Sequence, residues 1–140
     1  MIDYEKFAKS LKHLEMQFEN FERLDDRDNL TELDKEAVAE SVIQRFETCY
    51  DTLWKHLKRH LVKELGLPDV ANSPKPVFRS AAENGLLRNG LERWLRYADA
   101  RTATSHDYSG EKAKDCLVLM EAFVDDAIDL YQTLTGTSWE

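Results

Sequence analysis

Arg101 and His106, in the segment Arg101-Thr-Ala-Thr-Ser-His106-Asp-Tyr108, are the side chains in this sequence best equipped for chemistry. An arginine stays charged at any working pH and grips phosphate through a planar fork of N–H groups. A histidine takes or gives a proton near neutral pH. Together they could cleave a phosphodiester without metal. The histidine would act as general base on a 2′-hydroxyl or as general acid on the leaving oxygen, and the arginine would stabilise charge on the phosphorane-like transition state. The internal 2′-hydroxyl nucleophile would restrict such chemistry to RNA. Thr102, Ser105 and Tyr108 are the polar groups available to support it. An arginine and a histidine near a helix end are also common on plain protein surface, so these residues alone admit both readings.

Other chemistries find less support. His56 and His60 stand four apart on one helix face and could share a metal, but Lys58 and Arg59 between them would oppose a cation. The stretch Lys55-His56-Leu57-Lys58-Arg59-His60, with Lys63 one turn on, reads instead as a basic strip. Lys55, Lys58, Arg59 and Lys63 could meet a phosphate backbone or an acidic partner, or could be solvated helix surface. His13 reads as surface. Asp125, Asp126 and Asp129 read as a solvated acidic helix end. No glycine-rich phosphate loop and no nucleophile elbow occurs, so neither a cofactor nor a metal is expected. Cys49 and Cys116 lie among apolar residues outside any CxxC pattern, and read as buried, reduced thiols.

The chain's formal net charge of -8 is unevenly spread. Residues 55–106 hold 10 basic and 5 acidic side chains, whereas the stretches before and after are acidic. An acidic protein with a basic middle has a local surface for anionic partners. The 140 residues fit one domain, 1–140. No run approaches the ~20 apolar residues of a membrane span, and no basic segment leads into an apolar one at the N-terminus. A cytoplasmic location is the expectation.

Positioning these residues falls to helices. Tyr4, Phe7, Leu11, Leu14, Phe18 and Phe21 recur at alternating steps of three and four, one apolar stripe on a helix from about Asp3, its expected N-cap, to Arg23. A polar loop follows. Thr31 with Asp34 three residues on suggests a capping box opening a long helix to about Leu65, closed by Gly66 and Pro68. Pro76 fits the first turn of a short helix that ends at Asn84-Gly85, and a fourth helix runs from about Gly90 to Ala103. A last helix spans about Gly110 to Leu134. With no alternating strand pattern, the expected class is an all-α antiparallel bundle of four main helices plus one short helix.

Arg101, four residues, His106, one residue, Tyr108 matches the RxxxxHxY form of the HEPN motif. Gln44-Arg-Phe-Glu-Thr-Cys-Tyr-Asp-Thr-Leu-Trp-Lys55 looks like a long-helix signature of the HepT-like branch, also described as nucleotidyltransferase substrate-binding proteins. Asn84-Gly-Leu-Leu followed by Trp94 resembles the run before the motif, and Thr104-Ser-His-Asp-Tyr108 resembles its core. The resemblance implies a homodimer whose two Arg–His motifs face one another across a cleft. It implies a minimal nucleotidyltransferase partner encoded nearby, and RNA or a nucleotide as ligand. In toxin–antitoxin members the HEPN protein is a ribonuclease, silenced when the nucleotidyltransferase adds AMP to the motif tyrosine, here Tyr108. Thr102 departs from the Asn, Asp or His frequent after the motif arginine. That departure keeps open the alternative of a non-catalytic subunit binding nucleotide or substrate.

Overall fold

The computed structural model describes residues 2–105 and 110–140. Its elements are α1 (Glu5–Glu22), a 3₁₀ turn (Leu24–Asp26), α2 (Glu32–Lys63), α3 (Pro74–Glu83), α4 (Leu91–Thr104) and α5 (Gly110–Thr135). The described residues contain no strand, and the all-helical expectation holds. None of these helices is long and apolar enough to cross a membrane.

The expected capping box is present. Thr31 Oγ1 accepts from the Asp34 N–H at 3.0 Å, and Asp34 accepts from the Thr31 N–H at 3.0 Å. These bonds hold the Asp34 carboxyl below its usual range. At α1 the expected cap is displaced by one residue. Tyr4 occupies the N-cap without a side-chain bond, while Asp3 Oδ1 accepts from the Glu5 N–H at 2.9 Å. The short helix starts at Pro74 rather than Pro76, since both prolines fit its first turn, where no amide donor is needed. Leu67 N–H donates to Leu61 O across Gly66, whose φ of +66° ends α2 where a glycine was expected to stop it.

Helix α2 is the central member. Residues near its C-terminal end meet the start of α1, as in Tyr4 with His60, and those in its middle meet the middle of α1, as in His13 with Arg45. The two helices therefore run antiparallel. α4 and α5 also run antiparallel, since Asn89 reaches Asp129 and Arg93 reaches Asp126. The stripe of α1 buries Phe7, Leu11 and Leu14 completely. Phe46 of α2 meets Phe123 of α5 edge-on at 4.8 Å between centroids. Phe78 of α3 stacks on Trp94 of α4 at 5.2 Å, and Tyr97 contacts both Trp94 and Phe123. Each buried aromatic contributes on the order of 2–3 kcal/mol through its apolar area, so this cluster fixes α4 against α2, α3 and α5. The last turn of α4 carries Arg101.

Asp126 corrects the reading of a solvated acidic end. Its side chain is 1% exposed and accepts from Arg93 Nε at 2.8 Å and Nη2 at 3.0 Å, from Asn89 Nδ2 at 2.7 Å, and from the Tyr97 hydroxyl. Asp125 stays exposed and Asp129 is half-buried. Burial, and then the bond to Asp126, push the Tyr97 phenol well above its ordinary range. Cys49 and Cys116 are both buried free thiols, and burial pushes each up to about 12.

Candidate functional site

Arg101 projects from the last turn of α4 onto α2, and two carboxylates of α2 hold it. Its Nη1 donates to Glu47 Oε2 at 3.0 Å, while Nε and Nη2 donate to the two oxygens of Asp51 at 3.2 Å each. These bonds from Nε, Nη1 and Nη2 fix the guanidinium plane against α2. Glu47 and Asp51 lie four apart, one turn along the same face of α2. Glu47 is nearly buried, with its side chain 10% exposed, whereas that of Asp51 is 40% exposed. The buried Thr104 hydroxyl donates to the same Glu47 oxygen at 3.0 Å, which ties the end of α4 to α2 at a second point.

A hollow of about 530 Å³ opens beside this cluster, lined by Tyr50, Asp51, Trp54, Arg101, Thr102 and Ser105, with the 73–76 segment closing one side. Thr102 and Ser105 are both exposed. The Thr102 hydroxyl donates to Ala98 O at 3.2 Å and that of Ser105 to Thr102 O at 2.7 Å, so each can donate to a ligand only by leaving a backbone carbonyl. Burial, and then the charge of Asp51, push the Tyr50 phenol above its ordinary range, which keeps it protonated at the wall of the hollow. Lys75 faces Asp99 at 2.7 Å on the same side. The structure therefore brings Arg101, Thr102 and Ser105 together. His106 and Tyr108 lie outside the described residues.

The basic strip divides. Lys55, Lys58, Arg59 and Lys63 line one hollow of about 300 Å³ with Val62 and Asn72. Lys58 donates to Asn72 at 3.3 Å, and the 73–76 segment that follows walls the Arg101 hollow, so the two hollows are neighbours. His56 leaves the strip: it is buried, with Nδ1 2.8 Å from Thr52 O and Nε2 3.2 Å from Asp3 O. Both its nitrogens face carbonyl oxygens rather than a metal shared with His60, whose Nδ1 lies 3.3 Å from the Tyr4 hydroxyl.

Glu47, Asp51 and Thr104 escaped the sequence reading as site residues. One signal was available. Glu47 sits inside the apolar run of α2, between Phe46 and Cys49, where an uncompensated carboxylate is costly and a buried partner is to be expected.

The helical bundle that carries this site recurs in known proteins. The family described as nucleotidyltransferase substrate binding protein like matches residues 2–136. The chain belongs to that family. It is 29% identical over 102 residues, 71% of this chain and 69% of the relative, to a Haemophilus influenzae protein described as a probable ribonuclease HepT. A crystal structure of a Thermus thermophilus protein aligns at a TM-score of 0.67 with 26% identity, over 87% of this chain and 98% of that one. A second structure, from Haemophilus influenzae, is described as revealing the fold of a substrate-binding domain of a nucleotidyltransferase. It aligns at a TM-score of 0.84 with 24% identity, over 94% of this chain and 98% of that one, and shows the shared fold.

Proposed function

We propose that residues 1–140 form one HEPN-like domain acting as the ribonuclease member of a HEPN and minimal nucleotidyltransferase pair, working without metal. Arg101 holds the scissile phosphate and stabilises the charge it gains, and His106 moves the proton to or from the 2′-hydroxyl or the leaving oxygen. Thr102, Ser105 and Tyr108 complete the site. The protein works as a homodimer in the cytoplasm. The partner nucleotidyltransferase silences it by adding AMP to Tyr108, which would place a bulky phosphodiester two residues from His106.

The observation that carries this reading is the hold of Glu47 and Asp51 on Arg101 beside a hollow large enough for a nucleotide. A guanidinium fixed in advance meets phosphate without ordering a long side chain first. The likeness to a probable ribonuclease HepT adds to it. One experiment is expression without the partner. RNA breakdown and growth arrest are expected for the natural chain and neither for His106→Ala; equal behaviour of the two sinks the ribonuclease. Mass spectrometry of the co-expressed pair is expected to find added AMP on Tyr108.

A second reading, a non-catalytic subunit that holds nucleotide for the nucleotidyltransferase, draws on the carboxylates around the hollow. Asp51 pairs with Arg101 and Asp99 with Lys75, so little unbalanced positive charge remains there for an RNA backbone. Tight nucleotide binding without RNA cleavage, lost in Arg101→Ala, would favour it.

A further inference from the structure

A third hollow of about 290 Å³ lies between α1 and α2, lined by Lys6, Lys9, Ser10, His13, Arg45, Thr48 and Thr52. Lys6, Lys9, His13 and Arg45 are exposed, and no carboxylate is among the lining residues. Among the described residues, none of Lys6, Lys9 and Arg45 has an ion-pair partner, and Arg45 Nη1 donates to His13 Nδ1 at 3.3 Å. The α2 wall continues beyond the hollow. Arg45, Thr48, Thr52, Lys55 and Arg59 follow at steps of three, four, three and four, one polar cationic row on one face of the helix. From Arg45 to Lys55 that row covers about 15 Å at the helical rise. The row thus joins the α1–α2 hollow to the hollow of Lys55, Lys58, Arg59 and Lys63, which borders that of Arg101.

We propose that Lys6, Lys9 and Arg45 form a second phosphate-binding site, which takes the backbone of a single RNA strand extending from the Arg101 hollow across α2. Cations and hydroxyls are the groups that hold phosphate oxygens without reading bases. No phenylalanine, tyrosine or tryptophan lines the hollow, so it lacks the apolar anchor that a protein partner needs, and its one ring, His13, is already bonded to Arg45. The proposal rests on the RNA reading above but is separable from it, because binding can be measured without cleavage.

The probe is a 20-nucleotide single strand methylated at every 2′-oxygen, which cannot be cut through its own hydroxyl. Its affinity is measured against salt for the natural chain, for Lys6→Gln/Lys9→Gln/Arg45→Gln and for Arg101→Gln. All three groove residues are exposed, and circular dichroism melting confirms that the fold is kept. The triple variant is expected to bind about tenfold or more weakly at ~50 mM salt, with its salt slope flatter by about 2, as the loss of three phosphate contacts requires. If Arg101→Gln abolishes cleavage of unmodified RNA while the triple variant binds the probe as the natural chain does, the second site is wrong and the ribonuclease reading stands. If the natural chain cuts no RNA yet binds the probe through these residues, the second site stands and the ribonuclease reading falls. A natural chain that does not bind the probe at low salt overturns the proposal. So does a triple variant that keeps the probe but loses the nucleotidyltransferase, since the groove would then fit an acidic protein surface.

Discussion

Arg101 is held in place by side chains that lie far from it in the sequence. Glu47 and Asp51 set its plane, and Thr104 shares the Glu47 oxygen. A lysine offers a point charge and cannot replace a three-point fork, so Arg101→Lys is expected to cleave RNA no better than Arg101→Ala. Glu47→Gln is expected to lower cleavage about tenfold, since about 1.4 kcal/mol of lost transition-state positioning corresponds to that factor, while substrate affinity changes less. Initial rates at saturating and limiting RNA check the split. Away from the site, Asp126→Ala is expected to cost about 3 kcal/mol, because Arg93 and the Tyr97 hydroxyl lose a buried acceptor together. Urea titration measures it. The Tyr97 phenol is raised in the folded chain, so its contribution is fully present below the unfolded value of 10.0 and lost as pH climbs through the raised one. Stability is therefore expected to fall above about pH 10, and to fall less steeply in Tyr97→Phe.

At the scale of the elements, the caps are the simplest test of how sequence sets structure. Thr31→Ala removes one half of the capping box of α2 and is expected to cost about 1 kcal/mol, read as a lower thermal midpoint. The helices were legible because their stripes are: Phe7, Leu11 and Leu14 occupy the core for which their spacing selects them, and Gly66 stops α2 where no residue with a Cβ adopts positive φ cheaply. The site was half legible. Arg101, Thr102 and Ser105 are close in sequence, and a local motif displays them. The α2 partners of Arg101 and Thr104 lie 50 to 57 residues away, and only tertiary packing brings Glu47 and Asp51 under the end of α4. His56 escaped for the same reason: its neighbours Lys55 and Lys58 line an open hollow, yet the segment leading into α1 covers it and supplies the Asp3 carbonyl. Asp126 resembled Asp125 and Asp129 until α4 brought Arg93 across it.

For the whole molecule, the excess of 27 acidic over 19 basic residues looks ill suited to a polyanion until the charges are placed. Arg45, Lys55 and Arg59 lie along one side of α2, flanked by Lys6 and Lys9 on one edge and by Lys58 and Lys63 on the other. An acidic body with one basic face orients an RNA strand and repels it elsewhere, which makes binding local and dependent on salt. In the proposed function this face leads to a metal-independent cut at Arg101 and His106. Its most direct measurement is the chemistry of the product ends when the purified chain, free of its partner, meets single-stranded RNA in excess chelator. Fragments bearing 2′,3′-cyclic phosphate are expected, absent with Arg101→Ala and with His106→Ala. Intact RNA, or cleavage that the chelator abolishes, would contradict the proposed function.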